Sequence, residues 1–190
     1  MPDVVGAKGE VFGAAERFIG ERVTRSLEAI DAKLIRTVVD TLLKAPAIFV
    51  YGAGRSGIIG RAFAMRLVQT GLTAYVIGES VTPIVRRGDA VFILSNRGES
   101  YSSMQTANIV RREGAELIVV TALAGSKLSH AASVLIPLRF PEEAVRPVYA
   151  PLGTLFESAA LRLTDALVAE IAIARGETEE SMRARHAIMV

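Results

Sequence analysis

The chain has 190 residues, enough for one domain with a substantial core and too few for two ordinary ones. Hydrophobic residues make up 51% of it and the formal net charge is +2, which argues against disorder and gives no electrostatic case for nucleic acid. Cysteine is absent and there are only 2 histidines. Disulfides, thiolate zinc and cysteine nucleophiles are therefore excluded, a His-rich metal site is disfavoured, and a cytoplasmic protein is expected. No apolar run approaches the ~20 residues of a membrane span, and Met1–Val5 carries no basic start of a secretory signal.

Residues 8–44 are predicted helical, with Val11, Ala15, Phe18, Ile19, Val23, Leu27, Ile30, Leu34, Val38 and Leu42 recurring at spacings of three and four. Pro46 ends that region. Ala47–Tyr51 reads as a strand, Ile58–Thr70 as a helix ended by Gly71, and Thr73–Ile77 as a second strand. Ala90–Leu94 is the third strand, Tyr101–Glu113 a helix stopped by Gly114, and Glu116–Thr121 the fourth strand. A short helix around Leu128–Ala131 precedes a fifth strand, Ser133–Pro137. Nearly continuous Val- and Ile-rich strands belong to a parallel sheet covered on both faces. The rhythm defines an α/β fold: one doubly wound domain with a five-stranded parallel sheet flanked by helices. Residues 1–46 form a helical segment packed on the domain of residues 47–190.

Arg139–Pro151 reads as a proline-containing loop, followed by a long helix over Thr154–Arg175 closed by Gly176 and a short one from Glu177 towards Arg185. The long helix lacks a clean polar face, since Glu157, Arg162, Asp165 and Glu170 point in separate directions. A helix apolar all round must be covered, which predicts a subunit interface on residues 154–175. Cover by the N-terminal helical region is the alternative.

Two loops point to phosphate. Gly52-Ala53-Gly54-Arg55-Ser56-Gly57 follows the first strand and precedes a helix, an arrangement that aims backbone N–H groups at an anion. It matches the dinucleotide pattern G-x-G-x-x-G, with Glu79 at the distance of a ribose-binding acid. But Glu79 lies beyond Gly78, past the second strand, and no separate catalytic domain is visible. Ser95-Asn96-Arg97-Gly98-Glu99-Ser100 stands in the same position after the third strand. Its hydroxyls, amides and guanidinium make a monophosphate cradle, with a solvated helix cap by Ser95 or Ser100 as the plainer reading. Two such loops at the carboxyl edge of one sheet indicate a ligand site.

These loops, with Ala62–Leu67, Gly78–Pro83, Ala150–Glu157, Asp165–Glu170 and Ala184–Ala187, resemble the sugar isomerase (SIS) domain family and, within it, the 6-phospho-3-hexuloisomerases. The resemblance covers nearly all of the chain after Pro46. It implies a flavodoxin-like fold, interconversion of a 3-hexulose 6-phosphate and fructose 6-phosphate in formaldehyde fixation or pentose supply, a homotetramer, and no cofactor. The second loop in that family reads Ser-Gly-Ser-Gly-Glu-Thr; here Asn96 and Arg97 stand inside it. Arg97 either replaces the lost hydroxyl with a charge-assisted bond or points to solvent. The second outcome would suit a sugar-phosphate binder that does not turn over.

Moving a carbonyl between adjacent carbons requires a base that shuttles one proton through an enediol and a group that serves the oxygens. By resemblance the base is Glu157 and the acid or relay is His186. From pattern alone, Thr154–Glu157 also fits a capping box, and His186 a frayed terminus beside Arg183 and Arg185. Gly52, Gly54, Arg55, Ser56, Glu79, Ser95, Asn96, Arg97, Gly98 and Ser100 are the expected substrate-binding set. His130 reads as a surface or capping residue, and Asp165, one turn from Arg162, as structural.

Overall fold

A computed structural model describes residues 9–188. Five parallel strands, β1 (Ile48–Gly52), β2 (Ala74–Val76), β3 (Ala90–Leu94), β4 (Glu116–Thr121) and β5 (Val134–Pro137), form one sheet in the order β2-β1-β3-β4-β5. The helices are α1 (Glu10–Glu28), α2 (Ala32–Lys44), α3 (Arg55–Gln69), α4 (Tyr101–Glu113), α5 (Lys127–Ala131), α6 (Arg146–Tyr149), α7 (Thr154–Arg175) and α8 (Glu179–Ala184). Among the described residues no helix is long and apolar enough to cross a membrane.

The continuous apolar strands conceal a two-residue alternation. Ile48, Val50, Phe92, Leu94, Ile118 and Val120 face the layer containing α2, α3 and α7. Phe49, Val91, Ile93, Leu117 and Val119 face the layer of α4 and α5. Both faces are covered, so both sets must be apolar. Phe63 of α3 meets Phe92 of β3 with ring centroids 4.9 Å apart, locking one layer onto the middle of the sheet.

The helical region before Pro46 is two helices. Leu27, Ile30 and Leu34 keep their spacing across the junction, but Asp31 is extended (φ −64, ψ 130) and its side chain accepts from the Lys33 N–H at 2.7 Å. An acidic N-cap satisfies the new helix's free donor, so the break costs little. The proline-containing loop holds a four-residue helix, α6, with proline in its first turn, where a missing N–H is tolerated.

Much of the apolar circumference of α7 is covered inside the chain. It packs on α3 on one side and on α1 and α2 on the other, burying Leu155, Phe156, Leu163, Leu167, Val168 and Ile171. The N-terminal helices supply cover for part of the helix, the alternative weighed from the sequence, while Ala166 and Ala169 stay exposed. Leu161 and Ile173 are the large apolar residues of α7 that stay exposed. Asp165 does not hold Arg162 either, whose guanidinium donates to Thr24 Oγ1 of α1 at 3.1 Å.

Candidate active site

The glycine loop is tighter than the sequence indicates, because α3 begins at Arg55 rather than Ile58. Arg55 and Ser56 therefore sit in the first turn of a helix, whose opening N–H groups have no intrahelical acceptor. Strand end and helix start touch: a Cβ on Gly52 would lie 2.7 Å from the Gly57 nitrogen, which requires glycine there. Gly54, with φ +58, turns the chain between them.

The serine loop follows β3, which pairs directly with β1 in the register Gly52↔Leu94. Strand order reverses at this pair, the switch point where open α/β sheets leave a crevice for ligands. A hollow of about 440 Å³ occupies it, with Ser56 from one loop facing Ser95, Asn96, Arg97 and Ser100 from the other. Ser95 and Ser56 are buried at 8% exposure, and Ser95 Oγ accepts from the Gly98 N–H at 3.2 Å. Ser100 is the N-cap of α4, accepting from the Ser103 N–H at 3.3 Å, so cap and cradle coexist in one loop. The loop is braced from β4 and α5. The Asn96 carbonyl accepts from Thr121 Oγ1 at 3.1 Å, and the Gly98 carbonyl from the Leu128 N–H at 3.2 Å. These braces were missed in the sequence because they join residues about a full β-α unit apart.

Arg97 is exposed and lines both this hollow and a larger adjoining one of about 770 Å³, which also touches Phe140, Arg146 and Gly153. Its guanidinium makes no hydrogen bond or ion pair within the described residues. Arg146, which the sequence reading passed over, donates to the Leu152 carbonyl at 3.1 Å. That bond holds the turn before α7, where Leu152 adopts φ +56, an uncommon backbone for a side chain of this size.

Glu157 stands beside Arg55 of the glycine loop and over Gly153, which lines the larger hollow and lies close to Asn96 of the serine loop. The capping box does not form. Gly153 is the N-cap, so Thr154 lies inside the helix and Glu157 one position too far along to reach back. Thr154 Oγ1 donates instead to the Pro151 carbonyl at 2.6 Å. The Glu157 carboxylate folds over Gly153, where a Cβ would lie 2.8 Å from Oε1. Its Oε2 accepts from Arg55 Nε at 2.5 Å.

Two expected residues lie elsewhere. Glu79 follows β2 in a turn and pairs with Arg61 of α3 at 2.9 Å, lining neither hollow. His186 lies in a shallow hollow with Arg66, Gln69 and Ala172, near the far ends of α3 and α7. Ala172 lies fifteen residues further along α7 than Glu157, about 22 Å at the α-helical rise. One chain therefore does not bring His186 to Glu157. His130 is exposed within α5, its Nδ1 at 2.7 Å from the Ser126 carbonyl, and the helix is capped by Ser126 instead. Among the described residues no cluster of three or more acidic or histidine side chains could hold a metal.

A doubly wound sheet with two anion-directed loops at its switch point is the frame of a sugar-phosphate-binding domain, and the family comparison agrees. The SIS domain model matches residues 41–164, and the chain belongs to that family. It is 34% identical over 167 residues to a 3-hexulose-6-phosphate isomerase of Methylomonas aminofaciens, covering 87% of this chain and 90% of that one. It is 33% identical over 150 residues to a 3-hexulose-6-phosphate isomerase of Methanocaldococcus jannaschii, covering 79% and 81%. A crystal structure from Methanococcus jannaschii, from which a 3-hexulose-6-phosphate isomerase function was inferred, superposes with a TM-score of 0.82 at 29% identity, covering 90% and 97%. The five-stranded parallel α/β fold is shared with these neighbours, and sugar-phosphate isomerases are what the chain is related to.

Proposed function

We propose that this chain interconverts a 3-hexulose 6-phosphate and fructose 6-phosphate by proton transfer through an enediol. The observation that carries the reading is the Glu157 carboxylate, paired with Arg55 of the first loop and held over Gly153, which lies close to Asn96 of the second. The names and coverage of the relatives support the substrate class.

In this reading the α3 and α4 N-termini, with Ser56, Ser95 and Ser100, bind the 6-phosphate. Glu157 removes the proton from C2 while the C3 carbonyl oxygen gains one, giving the C2–C3 enediol. The same carboxyl then delivers its proton to C3 as the C2 hydroxyl loses its own, leaving the carbonyl at C2. His186 serves these oxygens from a second copy of the chain, since its own copy places it in a hollow with Ala172, about 22 Å along α7 from Glu157.

An enzyme-coupled assay that follows fructose 6-phosphate tests the reaction. Glu157→Gln keeps the shape and removes the base, and is expected to lower kcat by roughly 10²–10⁴ with KM little changed. Full activity in that variant would sink the assignment. The second reading, a binder without turnover, is favoured by the unpartnered Arg97. It would be supported by calorimetric binding of the sugar phosphate with no product formed.

A further inference from the structure

We propose that Glu177 and Arg185 are positioning residues for His186, a proposal that rests on the role given to His186 above. The geometry begins at the end of α7. Gly176, at φ +67, closes the helix with its N–H on the Ile173 carbonyl at 3.1 Å, and the Glu177 N–H reaches the Ala172 carbonyl at 2.8 Å. This paired closure fixes the direction in which Glu177 leaves the helix. Its carboxylate is only 9% exposed.

Eight residues later the chain returns to it. Arg185 Nη1 donates to Glu177 Oε2 at 2.8 Å and Nη2 to Oε1 at 3.1 Å, a bidentate pair. Nη1 also donates to the Gln69 carbonyl at 3.0 Å. Ser181 Oγ donates to the same carboxylate, and Arg175 Nε to the Thr70 carbonyl at 2.8 Å. The last carbonyls of α3 have no helical donors, so two guanidiniums complete that helix end; Arg185 forks onto the acid and Arg175 lies 4.0 Å from it. The segment from Gly176 to Arg185 is thereby closed on itself and pinned to α3.

His186 is the next residue. Its N–H is held by the Arg183 carbonyl at 3.0 Å, while its ring is exposed. A side chain that must reach a neighbour's site needs a fixed backbone, because a small misplacement at a reacting centre costs much of the rate. An exposed terminus without this clasp would fray. The chain thus uses an ion pair far from the sugar pocket to aim a residue that acts in another copy.

A double-mutant cycle in the full chain tests this, with the fructose 6-phosphate assay as readout. Glu177→Ala is expected to lower kcat about tenfold with KM within about twofold, and to speed tryptic cleavage at Arg183 and Arg185 in the native protein. In a His186→Asn background the same substitution should cost nothing further, since it acts only through His186. Wild-type kcat in Glu177→Ala, or an equal fractional loss in both backgrounds, overturns the proposal. Wild-type kcat in His186→Asn sinks the assigned role of His186 instead. Should Glu177→Ala fail to fold, Arg185→Lys, which keeps the charge and loses the fork, is expected to retain more kcat than Arg185→Ala. Undiminished kcat in Arg185→Ala overturns the proposal equally.

Discussion

Arg55 Nε donates to Glu157 Oε2 at 2.5 Å, joining the first turn of α3 to the first turn of α7. The guanidinium is 74% exposed and the carboxylate 15%. A pair this open to water adds at most about 1 kcal/mol to stability, so its value lies in where it holds the two groups. Arg55→Ala is expected to raise KM and lower kcat, each about tenfold, while moving the thermal midpoint by no more than about 4 °C. Steady-state kinetics beside a calorimetric melt would separate the effects. A large loss of stability with unchanged kinetics would reverse the interpretation.

Gly153 offers a second handle on the same carboxylate. Its φ of −91 is open to alanine, so Gly153→Ala strains no backbone. The added Cβ would press on Glu157 Oε1 at 2.8 Å and Asn96 Nδ2 at 3.3 Å. The flexible glutamate moves first. A tenfold lower kcat in a stably folded variant is expected, and measured rates equal to wild type would place the working carboxylate elsewhere.

Arg97 decides the character of the second loop. A charge-assisted bond from its guanidinium to the sugar phosphate predicts that Arg97→Ser raises KM about tenfold and weakens competition by inorganic phosphate by a similar factor. Inhibition constants for phosphate report this directly. Unaltered KM and inhibition would mean that Arg97 points to solvent.

Acid should loosen two joints. Glu143, bound by Arg22 Nε at 2.9 Å and Nη2 at 2.6 Å, is held below the ordinary glutamate pKa chiefly by that hydrogen bonding. Glu177 is lowered likewise, first by Arg185 and then by Ser181. A carboxylate with a depressed folded pKa stabilises the fold fully above the unfolded value of about 4.3, and that contribution is lost as pH falls through the lower folded value. Glu143→Gln and Glu177→Gln should therefore melt below wild type at pH 7, and the difference should shrink as the pH is taken below about 4. A gap that persists unchanged into acid would show that neither ionised form matters.

Much of the fold was legible because its signals are local. The bounds of β3, α4, β4 and α7 fall where turn residues, Gly114 and Gly176 place them, since a left-handed glycine or a strand-ending turn acts on its immediate neighbours. The α1–α2 break escaped because Leu27, Ile30 and Leu34 carry the helical spacing across it, and one capping residue, Asp31, outweighs that pattern. The start of α3 escaped for the opposite reason: Arg55, Ser56 and Gly57, which read as loop, form the first turn of a helix.

By itself the sequence determined a parallel α/β sheet, two anion-directed loops at its carboxyl edge, membership expectations for the SIS family, and Glu157 as the acid to watch. The sheet and the loops follow from periodicity and turn chemistry, which act over a few residues; the family expectation and the role of Glu157 came from the resemblance. Only the tertiary structure decided that Glu157 faces Arg55 instead of capping its helix, that α1 and α2 cover α7, and that Glu79 and His186 lie away from the pocket. Those outcomes depend on which distant elements pack together, and a contact between residues 102 positions apart leaves no local trace.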